Sequence, residues 1–161
     1  MLLLCSCGEK KTGEPLPHRG SLSPKEAKPL ALPGIVPYLE CKPSALDGQG
    51  TAVINPKGPF QASSAVDFEI TFTVGKAGIA PGGFLILQVS PWWGWSPPQD
   101  SDPGAEGFIT VSPSFSDPSL QVTTLSMHRV LVFSKERPIK PGETIAFKYT
   151  RARVDRFAEA E

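Results

Sequence analysis

From Val66 to Val74 the chain alternates without a fault. Val66, Phe68, Ile70, Phe72 and Val74 fall on one side of an extended backbone, and Asp67, Glu69, Thr71 and Thr73 on the other. At about 3.6 residues per helical turn the same apolar residues would scatter around a cylinder, so the segment reads as a strand with one buried and one solvated face. Such a strand needs neighbours along its edges and a second layer over its apolar side. The remaining sequence supplies both.

Phe84-Leu85-Ile86-Leu87-Gln88-Val89 is almost wholly apolar, as suits a central strand. Gly107 to Ser112, Leu120 to Leu125, Arg129 to Phe133 and Thr144 to Tyr149 are further extended runs, the last with Ile145, Phe147 and Tyr149 to one side. Weaker extended signals lie at Ile35-Val36, Tyr38-Leu39 and Thr51 to Ile54. Turn residues fill the gaps: Gly75 to Gly83, Asp100 to Gly104, Pro113 to Pro118 and Pro138 to Glu143. With 18 prolines and 15 glycines in 161 residues, few windows are long enough for a helix. The expectation is an all-β fold: an antiparallel immunoglobulin-like β-sandwich over residues 35–150, behind a disordered N-terminal tether. Residues 151–161 read as a charged link that closes no sheet and has some helical propensity.

Leu4-Cys5-Ser6-Cys7 matches the end of a bacterial lipoprotein signal and makes Cys7 the candidate lipidated residue. The apolar run before it is shorter than the roughly 7–15 residues of a complete signal. Either the start codon is set too late or the match is chance. The next segment favours the first. Residues 8–34 are polar, charged and proline-rich, too poor in apolar groups to offset the cost of ordering, as a tether behind a lipid anchor would be. Residues 1–7 are thus expected to be a signal remnant. The membrane is then a partner through the lipid, and the location is the bacterial cell envelope, on its periplasmic or surface side. Cys41 would be the thiol that remains, read as a small buried hydrophobe.

Lys plus Arg equals Asp plus Glu, 16 each, so no net field draws nucleic acid. Arg151, Arg153 and Arg156 are interleaved with Asp155, Glu159 and Glu161. The histidines, His18 and His128, stand far apart, and neither they nor the three cysteines have metal-ligand spacing. No nucleophile elbow is present. The sequence offers no catalytic residue, metal site or cofactor, and the acidic group Asp100, Asp102 and Glu106 reads as a solvated turn. The candidate site is Pro91-Trp92-Trp93-Gly94-Trp95-Ser96-Pro97-Pro98-Gln99. Trp92, Trp93 and Trp95 could stack on a sugar or anchor a partner, with Gln99 beside them. The favoured reading turns one or two of the rings inward to plug one end of the sandwich.

Gly78-Ile79-Ala80-Pro81-Gly82-Gly83, a hydrophobic strand, Gly94-Trp95-Ser96-Pro97-Pro98-Gln99 and Gly107-Phe108-Ile109-Thr110-Val111-Ser112 succeed one another in an order that resembles a known family. The likeness is to the opening domain of the bacterial domain-of-unknown-function family numbered three-six-zero-four, which these stretches resemble. The Pro141-Gly142-Glu143 turn and the stretch from Arg153 to Glu159 also fit, the latter looking like the family's link to its next segment. Members of that family are commonly exported and carry a downstream region similar to PHP-type metal-dependent phosphoesterases. The resemblance, over roughly residues 60 to 161, implies a non-catalytic N-terminal β-sandwich accessory domain, present as a fragment without the catalytic region. The alternative is a stand-alone envelope lipoprotein that binds glycan or protein through the Trp92–Trp95 loop.

Overall fold

The computed structural model of the chain describes residues 2–5, 49–91, 94–126 and 128–156. Among these residues lie eight strands: β1 (Leu2–Cys5), β2 (Gly50–Asn55), β3 (Ala65–Val74), β4 (Phe84–Gln88), β5 (Phe108–Pro113), β6 (Leu120–Leu125), β7 (Arg129–Ser134) and β8 (Thr144–Arg153). They form two antiparallel sheets, ordered β1-β4-β7-β6 and β2-β3-β8-β5. No helix occurs among the described residues.

One core joins the two sheets. Phe68, Phe72 and Val74 of β3 and Ile145, Phe147 and Tyr149 of β8 meet Leu85, Leu87, Val130 and Val132 of β4 and β7. The alternation that starts at Val66 is the reason. Phe68, Ile70 and Phe72 stand opposite Tyr149, Phe147 and Ile145, and the two apolar rows form one face. The almost wholly apolar run at Phe84 is also explained, because β4 lies between β1 and β7 and Phe84 to Leu87 are buried. Leu85 and Leu87 enter the common core, while Phe84 and Ile86 pack with Leu131 and Phe133 on the other face.

Two strand assignments differ from the sequence reading. Leu2–Cys5, within the residues 1–7 read as a signal remnant, runs antiparallel along the edge of β4, with Leu2 opposite Leu87 and Cys5 opposite Phe84. An apolar strand edge accepts an apolar extended segment, and a search for signal motifs does not consider that role. The second difference is at residue 150. The link read over 151–161 does not begin there: β8 continues through Arg153, and Val154 and Asp155 are buried beyond it. A β-bulge makes this possible. Thr150 and Arg151 oppose the single residue Asp67, and Arg151 takes a positive φ of 48°. The Asp67 carboxylate accepts the Arg151 N–H at 2.6 Å. The extra residue turns Ala152 and Val154 back into the core, where strict alternation would have sent them out. Residues 151–153, read as part of a charged link with some helical propensity, are therefore strand. Cys7, Cys41, His18, Ile35-Val36, Tyr38-Leu39, the tether and residues 157–161 lie outside the described residues.

Candidate functional site

The loop from Gly94 to Gln99 leaves the end of sheet β1-β4-β7-β6 and is fastened across the core to β8. Ser96 is the rivet. Its carbonyl accepts the Tyr149 hydroxyl, and its own hydroxyl lies 3.3 Å from the same Tyr149 oxygen. The Ser96 hydroxyl also accepts the Arg153 N–H at 2.8 Å, and the Ser96 N–H donates to the Arg153 carbonyl at 3.4 Å. Ser96 is 7% exposed and Tyr149 2%, so these groups have little access to water and depend on each other. Burial pushes the Tyr149 phenol above its ordinary pKa, partly offset by the bond from Ser96, so it stays a neutral donor.

Gln99 closes the other end of the loop. Its amide oxygen accepts the N–H groups of Ser101 and Asp102 at 2.9 and 2.8 Å, and its amide nitrogen donates to the Asp102 carbonyl at 2.8 Å. Its backbone bridges to the start of β5, accepting from Ile109 at 2.8 Å and donating to Gly107 at 2.9 Å. A residue singled out as a possible binding group is therefore used to shape its own turn. Asp102 and Glu106 nearby are similarly occupied. Asp102 accepts the Gly104 N–H at 2.7 Å. Glu106 pairs with Arg153, whose hydrogen bond holds the Glu106 carboxyl below its usual range. Among the described residues no group of three or more His, Cys, Asp or Glu side chains converges as a metal site would require.

Trp95 is half-buried. Its ring lies 6.0 Å from Phe68 at 49°, and Phe68 in turn packs edge-on to Phe60 at 5.2 Å and parallel to Tyr149 at 6.4 Å. Trp92 and Trp93 lie outside the described residues. Trp95 also forms one end of a cleft of about 410 Å³ that opens between the sheets. Ala52, Ile54, Phe68 and Ile70 line it from β2 and β3, and Leu87, Gln88, Val89 and Ser90 from the end of β4. Trp95 packs on Phe68 of the core and also lines the open cleft. Sequence reasoning missed the cleft and the Ser96–Tyr149–Arg153 link, which join residues more than 50 positions apart. No local pattern announces either.

Tyr149→Phe keeps the ring and removes the donor to Ser96. It should cost about 1–3 kcal/mol in urea unfolding, because a buried carbonyl is left without its partner. The tryptophan emission should shift to the red as the loop loosens. A variant as stable as the parent would show that the Tyr149 hydroxyl contributes nothing to holding the loop.

No family model, curated protein or solved structure matches this chain.

Proposed function

We propose that the chain is a non-catalytic β-sandwich accessory domain of an exported bacterial lipoprotein, of the kind found at the front of the domain-of-unknown-function family numbered three-six-zero-four. In this reading it is anchored through Cys7 and located on the periplasmic or surface side of the envelope. It packs by its Trp95 corner against a neighbouring region with the PHP-type phosphoesterase motifs. The observation that carries this reading is the construction of the corner. The loop with the family-like sequence is fixed to the last strand, β8, and presents a half-buried Trp95 beside an apolar cleft. A rigid apolar corner beside the end of β8 suits packing against a further domain joined to that strand.

An immunoglobulin-like plan is the finer reading we propose for the two antiparallel sheets. β2, β3, β4 and β5 take the places of its first four strands, and β7 pairs with β4 as its sixth strand pairs with the third. β6 and β8 are exchanged relative to that plan.

The test is the DNA on both sides of the coding region. The expected result is a fuller signal upstream and, downstream, sequence encoding a Gly-Asp-Leu-His-type motif. If no frame encodes that motif, the accessory-domain reading fails. The open cleft then favours the second reading, a stand-alone lipoprotein that binds a ligand at Trp95. Its lining decides between ligands. The side chains are hydrocarbon apart from Gln88, Ser90, the indole N–H of Trp95 and the Tyr149 hydroxyl already bonded to Ser96, so the cleft suits a mainly apolar protein segment over a glycan. A glycan panel should leave the tryptophan emission of the intact chain unchanged, and saturable quenching by any member would overturn that choice.

A further inference from the structure

We propose that β2 is a self-pairing edge, through which two copies of this chain join antiparallel about a two-fold axis at Val53. The inference goes beyond the accessory-domain reading and does not depend on it.

Among the described residues no strand lies beyond β2 in its sheet, and every residue of β2 is exposed. Val53 is 58% exposed and Ile54 43%, the two most exposed large hydrophobic residues described. An edge strand presents a row of unpaired N–H and C=O groups, and proteins guard such edges with charge, proline or a bulge. β2 has none of these. It reads Gly-Thr-Ala-Val-Ile-Asn, and its pairing with β3 runs unbroken from Gly50 to Asn55.

The sequence of the strand selects its own copy as the occupant. In an antiparallel pair, directly opposed residues share a face. With the axis at Val53, the second copy's Val53 lies opposite Val53 on the outer face. The second copy's Ile54 lies opposite Ala52, and its Ala52 opposite Ile54, on the face that borders the cleft. One contact thus covers both exposed apolar side chains, and Thr51 meets the second copy's Asn55 with no charge opposed to another. A basic or acidic guest strand would find no counter-charge anywhere along β2. The contact is isologous and uses the same free edge of both copies, so it closes at two chains. It covers the Ala52–Ile54 rim of the cleft and leaves the Trp95 end open, since Trp95 packs against Phe68, beyond the pairing of Ile54 with Ile70.

The purified full chain should sediment at twice its 17.3 kDa mass over a dilution series, with a two-chain species that dissociates as concentration falls. V53K and V53E place like charges against each other on the axis, so each should sediment as a single chain with unchanged circular dichroism. Mixed together, the two variants should re-form the two-chain species, because opposite charges then meet. Hydrogen exchange on the unaltered chain needs no variant: protection of the 50–55 amides should rise with chain concentration. A chain that stays at 17.3 kDa throughout overturns the proposal and leaves the edge to a strand of another protein. So does a V53K chain as dimeric as the parent, a mixture that fails to associate, or exchange at 50–55 that ignores concentration.

Discussion

Gly107→Ala should destabilise the domain by roughly 3 kcal/mol, combining the cost of a left-handed backbone with a steric clash. Gly107 has a φ of +76°, and a Cβ there would sit 2.2 Å from the Pro97 carbonyl oxygen. That oxygen is backbone and cannot swing aside. The Gly107 N–H donates to the carbonyls of Thr150 and Arg151 at the bulge, at 3.1 and 3.4 Å, and its carbonyl accepts from Gln99. Moving it therefore pulls on the bulge and on the Trp95 loop together. Gly82→Ala is the control. Its φ is +78°, yet a Cβ there meets nothing within 4 Å, so it should lose only about 1 kcal/mol, the backbone part. Urea unfolding of both variants separates the two contributions. Equal losses would mean that the approach of Gly107 to Pro97 carries no energetic weight. For Gly107→Ala, the tryptophan emission should also shift before the main transition.

Phe147→Ala is expected to cost about 3–5 kcal/mol, the range for removing a fully buried aromatic ring and leaving a cavity. Phe147 has no exposed surface. It lies in the central strand of its sheet, opposite Ile70 of β3 on one side and Val111 of β5 on the other. Few neighbours can collapse into the space, since Ile145 and Tyr149 flank it along the strand and are themselves tied to Phe72 and to Ser96. A domain of this size has roughly 5–15 kcal/mol in total, so the variant should unfold at much lower urea, with an unchanged slope. A shift of less than about 1 kcal/mol would show that the core repacks freely and that the two sheets are not locked through this ring.

The alternation from Val66 to Val74 and the inward row Ile145, Phe147 and Tyr149 were legible because a strand with one wet face writes its period into the sequence. The almost wholly apolar β4 was legible for the same reason in reverse. Beyond Tyr149 the reading stopped too early, because the bulge at Arg151 resets the period and a one-residue shift exchanges the faces. Leu2–Cys5 was invisible as a strand because its partner, β4, lies some 80 residues away and no turn joins them. The candidate loop was found by its tryptophans, but its geometry is set by Ser96 and Gln99, which composition does not mark.

What the sequence by itself determined is the set of main strands, their inward and outward faces and the place of the Pro-rich tryptophan loop, since these come from local period and turn chemistry. The tertiary structure alone decided how β8 continues past its bulge, how Ser96 is fixed to Tyr149 and Arg153, and where the apolar cleft opens. Those features depend on which distant strands pair and in what register, and pairing energy is shared between segments that carry no record of each other in their own sequence.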